Sequence, residues 1–111
     1  MIEKIVLDYL NEKLEVEAYL EVPNSNTSTF LVIEKTGSKE DDEIKSATIA
    51  IQSYESSLYK AASLNKQVKE VMKNIVELDK ISSCKLNSDY NFTDTQTKKY
   101  RYQAVFDITY Y

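Results

Sequence analysis

The strongest pattern in this chain is the alternation of residues near its C-terminal end. From residue 100 to residue 110, every second side chain is apolar or aromatic, and most of the side chains between them are polar. A period of two predicts a β-strand with one face buried and the other exposed. A second alternating segment precedes it, and a polar turn separates the two. We therefore expect an antiparallel hairpin, whose first strand has these residues on one face: Cys84, Leu86, Ser88, Tyr90 and Phe92.

Two upstream segments have the periodicity of helices instead. Apolar side chains recur every three or four residues over positions 2–14 and again over positions 58–77. This spacing predicts two amphipathic helices, each with one face that packs and one that stays in water. Ser56 or Ser57 is the expected N-cap of the second helix, because a Ser hydroxyl can accept a hydrogen bond from a free backbone N–H group.

Three further strands are predicted between the helices, at residues 16–22, 30–36 and 44–54. The first alternates, the second opens with a β-branched apolar run, and the third alternates again. Residues 24–29 are small and polar and predict a loop. Residues 39–43 predict a solvated charged connection between two strands of a long antiparallel hairpin.

These elements predict a single domain that spans residues 1–111. Its expected class is α+β, with a twisted antiparallel sheet of about five strands and two helices packed on one face, in the order α-β-β-β-α-β-β. The length supports this, because domains most often contain roughly 100–150 residues around one core.

Composition argues against an enzyme. The chain has no His, one Cys and one Gly. It therefore lacks the residues for a Ser-His-Asp triad, a thiolate zinc cage or a glycine-rich phosphate loop. We predict no catalytic residue, no cofactor and no metal. A net charge of −4 disfavours a general nucleic-acid binder. No apolar run approaches a membrane span, so we also expect a soluble cytoplasmic protein.

Two groups of residues are candidates for contact with other molecules. The acidic run of residues 40–43 lacks the alternating spacing of a calcium loop, so it predicts a solvated hairpin tip that projects toward a neighbour. Tyrosine is abundant, with nine residues and no Trp, and its amphipathic ring serves both core edges and interfaces. The last two tyrosines cannot place both rings on one strand face. The candidate interaction residues are Glu40, Asp41, Asp42, Glu43, Tyr110 and Tyr111.

Two other features have simpler expected roles. Residues 98–102 combine Lys, Arg and Tyr, as a platform for single-stranded nucleic acid does. Their tyrosines share a face with the expected core residue Phe106, so we predict a charged outer face over an aromatic inner face. Cys84 shares a face with Leu86 and is expected to be a small buried apolar residue.

The order of elements and several local phrases resemble tail-terminator proteins of long-tailed bacteriophages and of phage-tail-like bacteriocins. The phrases are residues 16–23 (VEAYLEVP) and residues 30–37 (FLVIEKTG). The middle hairpin, the long helix and the closing hairpin of residues 83–92 and 100–110 are similar to the rest of that family. The resemblance covers nearly the whole chain and includes no catalytic motif.

The resemblance implies a subunit of a ring, typically a hexamer, at the head-proximal end of a tail tube, in the neck region of the virion. Such a ring stops polymerisation of the tail tube protein and presents a docking face for a head-completion or neck protein. DNA passes through its lumen without specific binding, and assembly takes place in the cytoplasm of the bacterial host. If the acidic run lines that lumen, like-charge repulsion keeps DNA from sticking. Unchanged DNA passage after charge reversal at residues 40–43 would contradict this hypothesis.

Two alternatives remain open from the sequence. A head-completion or neck connector protein forms rings at the same junction. The second alternative is a different class of protein, a small regulatory module that binds nucleic acid or a peptide through the Tyr- and Lys-containing hairpin at residues 98–102. Salt-dependent binding to an oligonucleotide would favour this second alternative.

Overall fold

Two helices and five strands make up the fold, and the computed structural model describes all residues from Met1 to Tyr111. The predicted α+β class and the order α-β-β-β-α-β-β are confirmed. The elements are α1 (Ile2–Lys13), β1 (Ala18–Tyr19), β2 (Phe30–Asp41), β3 (Ile44–Glu55), α2 (Leu58–Met72), a 3-10 turn (Ile75–Glu77), β4 (Ile81–Asn91) and β5 (Tyr100–Tyr110).

The strands form one sheet in the order β1-β2-β3-β5-β4. The four long strands pair antiparallel, as predicted. The short strand β1 pairs parallel with β2, through Ala18 opposite Leu31 and Tyr19 opposite Val32, so the sheet is mixed. The loop that follows β1 carries the chain back to the start of β2 in the same direction, which makes this pair parallel. Strand β4 is left as one edge of the sheet.

Both helices pack on one face of the sheet, which we call the helix face. The apolar face of each helix packs there against every second residue of the strands, as the periodicities predicted. Tyr9 also donates a hydrogen bond from Oη to the backbone O of Val71, 3.0 Å away, which ties α1 to α2. Ser57 caps α2, since its Oγ accepts a hydrogen bond from the backbone N of Lys60 at 3.2 Å. Fully buried members of this core include Val6, Leu10, Leu31, Ile33, Ile49, Ile51, Val68, Met72 and Ile108.

Strand β1 is shorter than the predicted segment of residues 16–22. Asn11 fixes its start, because its side-chain Oδ1 accepts a hydrogen bond from the backbone N of Ala18 at 2.7 Å. The chain bends away from β2 after Tyr19, so Leu20 and Val22, apolar members of the predicted alternation, are 41% and 50% exposed. Apolar alternation alone was insufficient to extend the strand where no neighbouring strand pairs with it.

The charged segment 39–43 was predicted as a loop, but most of it is strand. Strands β2 and β3 pair as far as Asp41 opposite Ile44, so only Asp42 and Glu43 form the turn. Both turn residues have positive φ, 48° and 69° respectively. A two-residue hairpin turn requires this left-handed backbone, which usually selects Asn, Asp or Gly. The hairpin is therefore longer and tighter than the composition indicated.

Strand β4 does not keep one set of residues on one face, contrary to the prediction. Its pairing with β5 shifts between Leu86 and Ser88, where a β-bulge lies. Cys84 and Leu86 lie on the helix face, whereas Tyr90 is opposite Gln103 on the other face. One additional residue in a strand reverses the orientation of every residue beyond it.

Candidate interaction surfaces

The tip of the β2–β3 hairpin carries four exposed carboxylates. Glu40, Asp41, Asp42 and Glu43 are all exposed, and none of them forms an ion pair within the chain. Ile44, next to them, is 48% exposed. The stiff hairpin therefore presents both negative charge and an apolar side chain, a combination that suits a cationic surface with an apolar part.

The two terminal tyrosines divide as the alternation predicted. Tyr110 packs against the helix-face core, whereas Tyr111 is 65% exposed. The backbone N–H of Tyr111 donates a hydrogen bond to the backbone O of Lys80 at 3.0 Å, which holds the chain end beside the start of β4. Tyr110 is also opposite Lys45 of the hairpin. The structure therefore brings all the predicted interaction residues to one end of the sheet, which we call the acidic end.

The face of the sheet opposite the helices, the open face, has an aromatic cluster centred on Arg101. The guanidinium of Arg101 donates hydrogen bonds to Tyr54 Oη at 2.7 Å and to the backbone O of Phe92 at 2.6 Å. Its central carbon lies 4.5 Å from the centre of the Phe92 ring and 5.5 Å from that of Tyr54. The ring of Tyr54 stacks on Phe30 at 4.5 Å. Arg101 is therefore committed to contacts within the fold.

A chain of amide hydrogen bonds continues across the open face. Gln52 Nε2 donates to Gln103 Oε1 at 2.9 Å, and Gln103 Nε2 donates to Tyr90 Oη at 2.6 Å. Both glutamines are buried, so these bonds satisfy groups that are costly to leave unpaired. This face was missed in the sequence because the bulge that turns Tyr90 and Phe92 toward it has no Gly or Pro to mark it. Tyr102 lies on the helix face beside Ser53, in agreement with the predicted inner aromatic face.

A groove lies on the other side of the sheet, between α2 and the edge strand β4. It encloses a cavity of about 400 Å³. Burial raises the pKa of the Cys84 thiol to about 11, and the charge of Asp107 contributes in the same direction. The thiol is therefore protonated at neutral pH and acts as an apolar wall. The lining residues are Lys66, Lys69, Glu70, Met72, Lys73, Cys84, Leu86 and Phe106.

Two bonds from α2 fix one end of this groove. Asp89 of β4 accepts hydrogen bonds on Oδ2 from Lys69 Nζ at 2.9 Å and from Asn65 Nδ2 at 3.0 Å. Sequence reasoning missed the groove, although the lysines recur on one side of α2 at positions 66, 69 and 73. The missing information was that β4, and not another strand, lies at the edge beside α2.

A second cavity, of about 390 Å³, lies at the end of the sheet opposite the acidic end. The loop of residues 20–29 forms one wall, and Lys98 and Lys99 of the β4–β5 turn form another. Thr29 Oγ1 donates a hydrogen bond to Glu55 Oε1 at 2.9 Å and holds the loop to β3. We call this region the loop end.

No group of three or more Asp, Glu or Cys side chains converges in the way that metal ligands do. Neither helix has the length and apolar character needed to cross a membrane. No protein-family model matches the chain, and no curated protein matches it.

Proposed function

We propose that this chain is a structural subunit that forms a ring at the head-proximal end of a phage or phage-like tail tube. The ring ends polymerisation of the tail tube protein and provides the surface to which the head joins. The resemblance to tail terminators over residues 16–23 and 30–37 supports the family assignment. The observation that carries the proposal is that the long strands place two different exposed surfaces at opposite ends of one elongated domain.

A cap must contact the tube on one side and the head-side partner on the other. The molecule measures 44 × 25 × 24 Å, and strand β2 runs from the loop end at Phe30 to the acidic end at Asp41. The acidic end offers carboxylates and Tyr111, whereas the loop end offers Lys98, Lys99 and the loop of residues 20–29. Glu55 lies beside the two lysines at the loop end, so the two ends differ in charge and in shape, and each can select a different partner.

The assignment is tested with tube subunits purified from the same particle. Tube subunits are polymerised with and without this chain, and tube lengths are measured by electron microscopy. A terminator shortens the tubes and is found at their ends. Tubes of unchanged length, together with binding of the chain to DNA-filled heads, would contradict the proposal and favour a neck connector.

A pair of variants tests whether the acidic end takes part in tube capping or head joining. Residues 40–43 are changed to Lys in one variant, and the exposed carboxylates Asp8, Glu12, Glu15 and Glu34 are changed to Lys in the control. Both variants change the net charge equally. We expect the first to lose tube capping or head joining and the control to keep both. Equal effects of the two variants would show that total charge matters and the acidic end does not.

A further inference from the structure

The groove between α2 and β4 combines positive charge with an apolar floor. Residues 58–73 contain four Lys and one Glu, a net charge of +3 in a chain whose net charge is −4. Lys69 is bonded to Asp89 at 2.9 Å and Lys73 lies 3.5 Å from Glu70, whereas Lys66 has no carboxylate partner. The floor is formed by Met72, Cys84, Leu86 and Phe106. Leu86 is 47% exposed, so part of the apolar floor is open to solvent.

The acidic hairpin tip is complementary to this groove in both respects. Its four carboxylates are opposite in charge to the three lysines of the rim, of which Lys66 has no carboxylate partner, and the exposed Ile44 suits the apolar floor. The tip is also narrow, since a two-residue turn joins two strands about 4.8 Å apart. Lys39 and Lys45 lie below the tip in the hairpin stem and leave the outermost carboxylates unpaired.

A single chain cannot place its own tip in its own groove. The hairpin belongs to β2 and β3, whereas the groove lies at β4, on the opposite edge of the sheet. Strands β2 and β4 are three inter-strand steps apart, about 14 Å. The hairpin is paired from Phe30 opposite Tyr54 to Asp41 opposite Ile44, with one bulge between Lys35 and Gly37, and this pairing holds the tip away from the groove.

We propose that the acidic hairpin tip of one copy docks into the lysine-rimmed groove of a second copy of this chain. The contact joins two different surfaces, so each copy keeps one free tip and one free groove until the assembly closes into a ring. This inference rests on the proposed ring function and identifies the subunit contact that the ring uses. The long-range attraction between tip and groove also predicts association that weakens as salt is raised.

Charge reversal with complementation tests this contact. The tip variant carries Asp41→Lys and Glu43→Lys, and the groove variant carries Lys66→Glu and Lys73→Glu. Lys69 is left unchanged because it is bonded to Asp89. Association of the full chain is measured by analytical ultracentrifugation at low salt. We expect each variant alone to associate at least tenfold more weakly than the wild type.

A mixture of the two variants restores both contacts, because a Lys tip then meets a Glu groove and an acidic tip meets a Lys groove. We expect the equimolar mixture to recover association to within about threefold of the wild type. Two matched control variants reverse two charges each at other positions. One carries Glu12→Lys and Glu15→Lys, and the other carries Lys60→Glu and Lys80→Glu. We expect both controls to associate like the wild type. Unchanged circular dichroism of every variant shows that the fold is kept.

These measurements test the tip-to-groove contact independently of the proposed function. Failure of the mixture to recover, or equal loss in the controls, overturns the tip-to-groove contact. A wild type that stays monomeric at millimolar concentration overturns it as well. Self-association that neither the tip variant nor the groove variant weakens, together with binding of a different acidic protein to the wild-type groove, overturns the contact and identifies another occupant. In each of these cases, continued shortening of tail tubes would leave the proposed function standing.

Discussion

Replacement of Arg101 by Met tests whether the open-face cluster holds the fold together. Arg101 makes two hydrogen bonds, to Tyr54 Oη and to the backbone O of Phe92, and its guanidinium lies over both rings. Each hydrogen bond contributes about 1 kcal/mol, and each cation–π contact at a partly exposed site about 0.5 kcal/mol. Met keeps much of the apolar stem but none of these polar contacts. We therefore expect a loss of about 2–3 kcal/mol in the free energy of unfolding.

The loss is measured by urea denaturation and by thermal melting. The unfolding entropy of a domain this size is about 0.2 kcal/mol/K, so a loss of 2 kcal/mol lowers Tm by roughly 9 °C. Arg101→Lys keeps the charge but not the planar fork, and we expect an intermediate Tm. Lys99→Met removes a neighbouring exposed cation and serves as the control. A double-mutant cycle with Tyr54→Phe should give a coupling of about 1 kcal/mol.

The reasoning is refuted if Arg101→Met melts within about 2 °C of both the wild type and the Lys99→Met control. That result would mean that the Arg101 side chain is free to contact a partner. The nucleic-acid alternative would then gain support, since a free Arg beside aromatic rings is suited to base stacking.

Three further changes have defined outcomes. Glu43→Gly should raise Tm by about 2 °C in calorimetry, because Gly adopts the positive φ of 69° without the steric cost that Glu bears. An unchanged or lower Tm would contradict the backbone strain assigned to this turn. Met72→Ala should lower the free energy of unfolding by about 3 kcal/mol, as a fully buried side chain leaves a cavity, and a loss below about 1 kcal/mol would show that the site collapses. The pKa of the Cys84 thiol is about 11 in the folded chain, whereas its ordinary value is 9.0. The unfolded chain therefore loses this proton at a lower pH than the folded chain does. The contribution of the protonated thiol to the free energy of unfolding is complete below about pH 9 and is lost as pH rises through about 11. Urea denaturation at about pH 8 and about pH 10 should therefore show a smaller decline for Cys84→Ala than for the wild type.

The helices and the strand order along the chain were readable from the sequence because periodicity depends on local residues. The spacing over positions 2–14 and 58–77 identified both helices, and Ser57 is a local cap. The alternation of β5 correctly put Ala104, Phe106 and Ile108 in the core. These patterns are strong because each reports which face of one element is buried.

The remaining differences arise from pairing, which depends on distant residues. The bulge after Leu86 has no Gly or Pro, so the change of face at Tyr90 was hidden. The short β1 depends on where β2 lies, and residues 39–41 became strand because β3 pairs with them. The acidic tip was found in the sequence as a run of charge. The groove was not found, because its two walls are brought together only by the order of the strands in the sheet.

Imaging of tube ends tests the central claim most directly. Tail tubes assembled with this chain are examined by electron cryomicroscopy, and the two ends of each tube are averaged separately. We predict a closed ring of copies of this chain at one end only, with neighbouring copies joined from hairpin tip to groove. Tubes with two identical bare ends, or chains bound along the tube wall, would contradict the account.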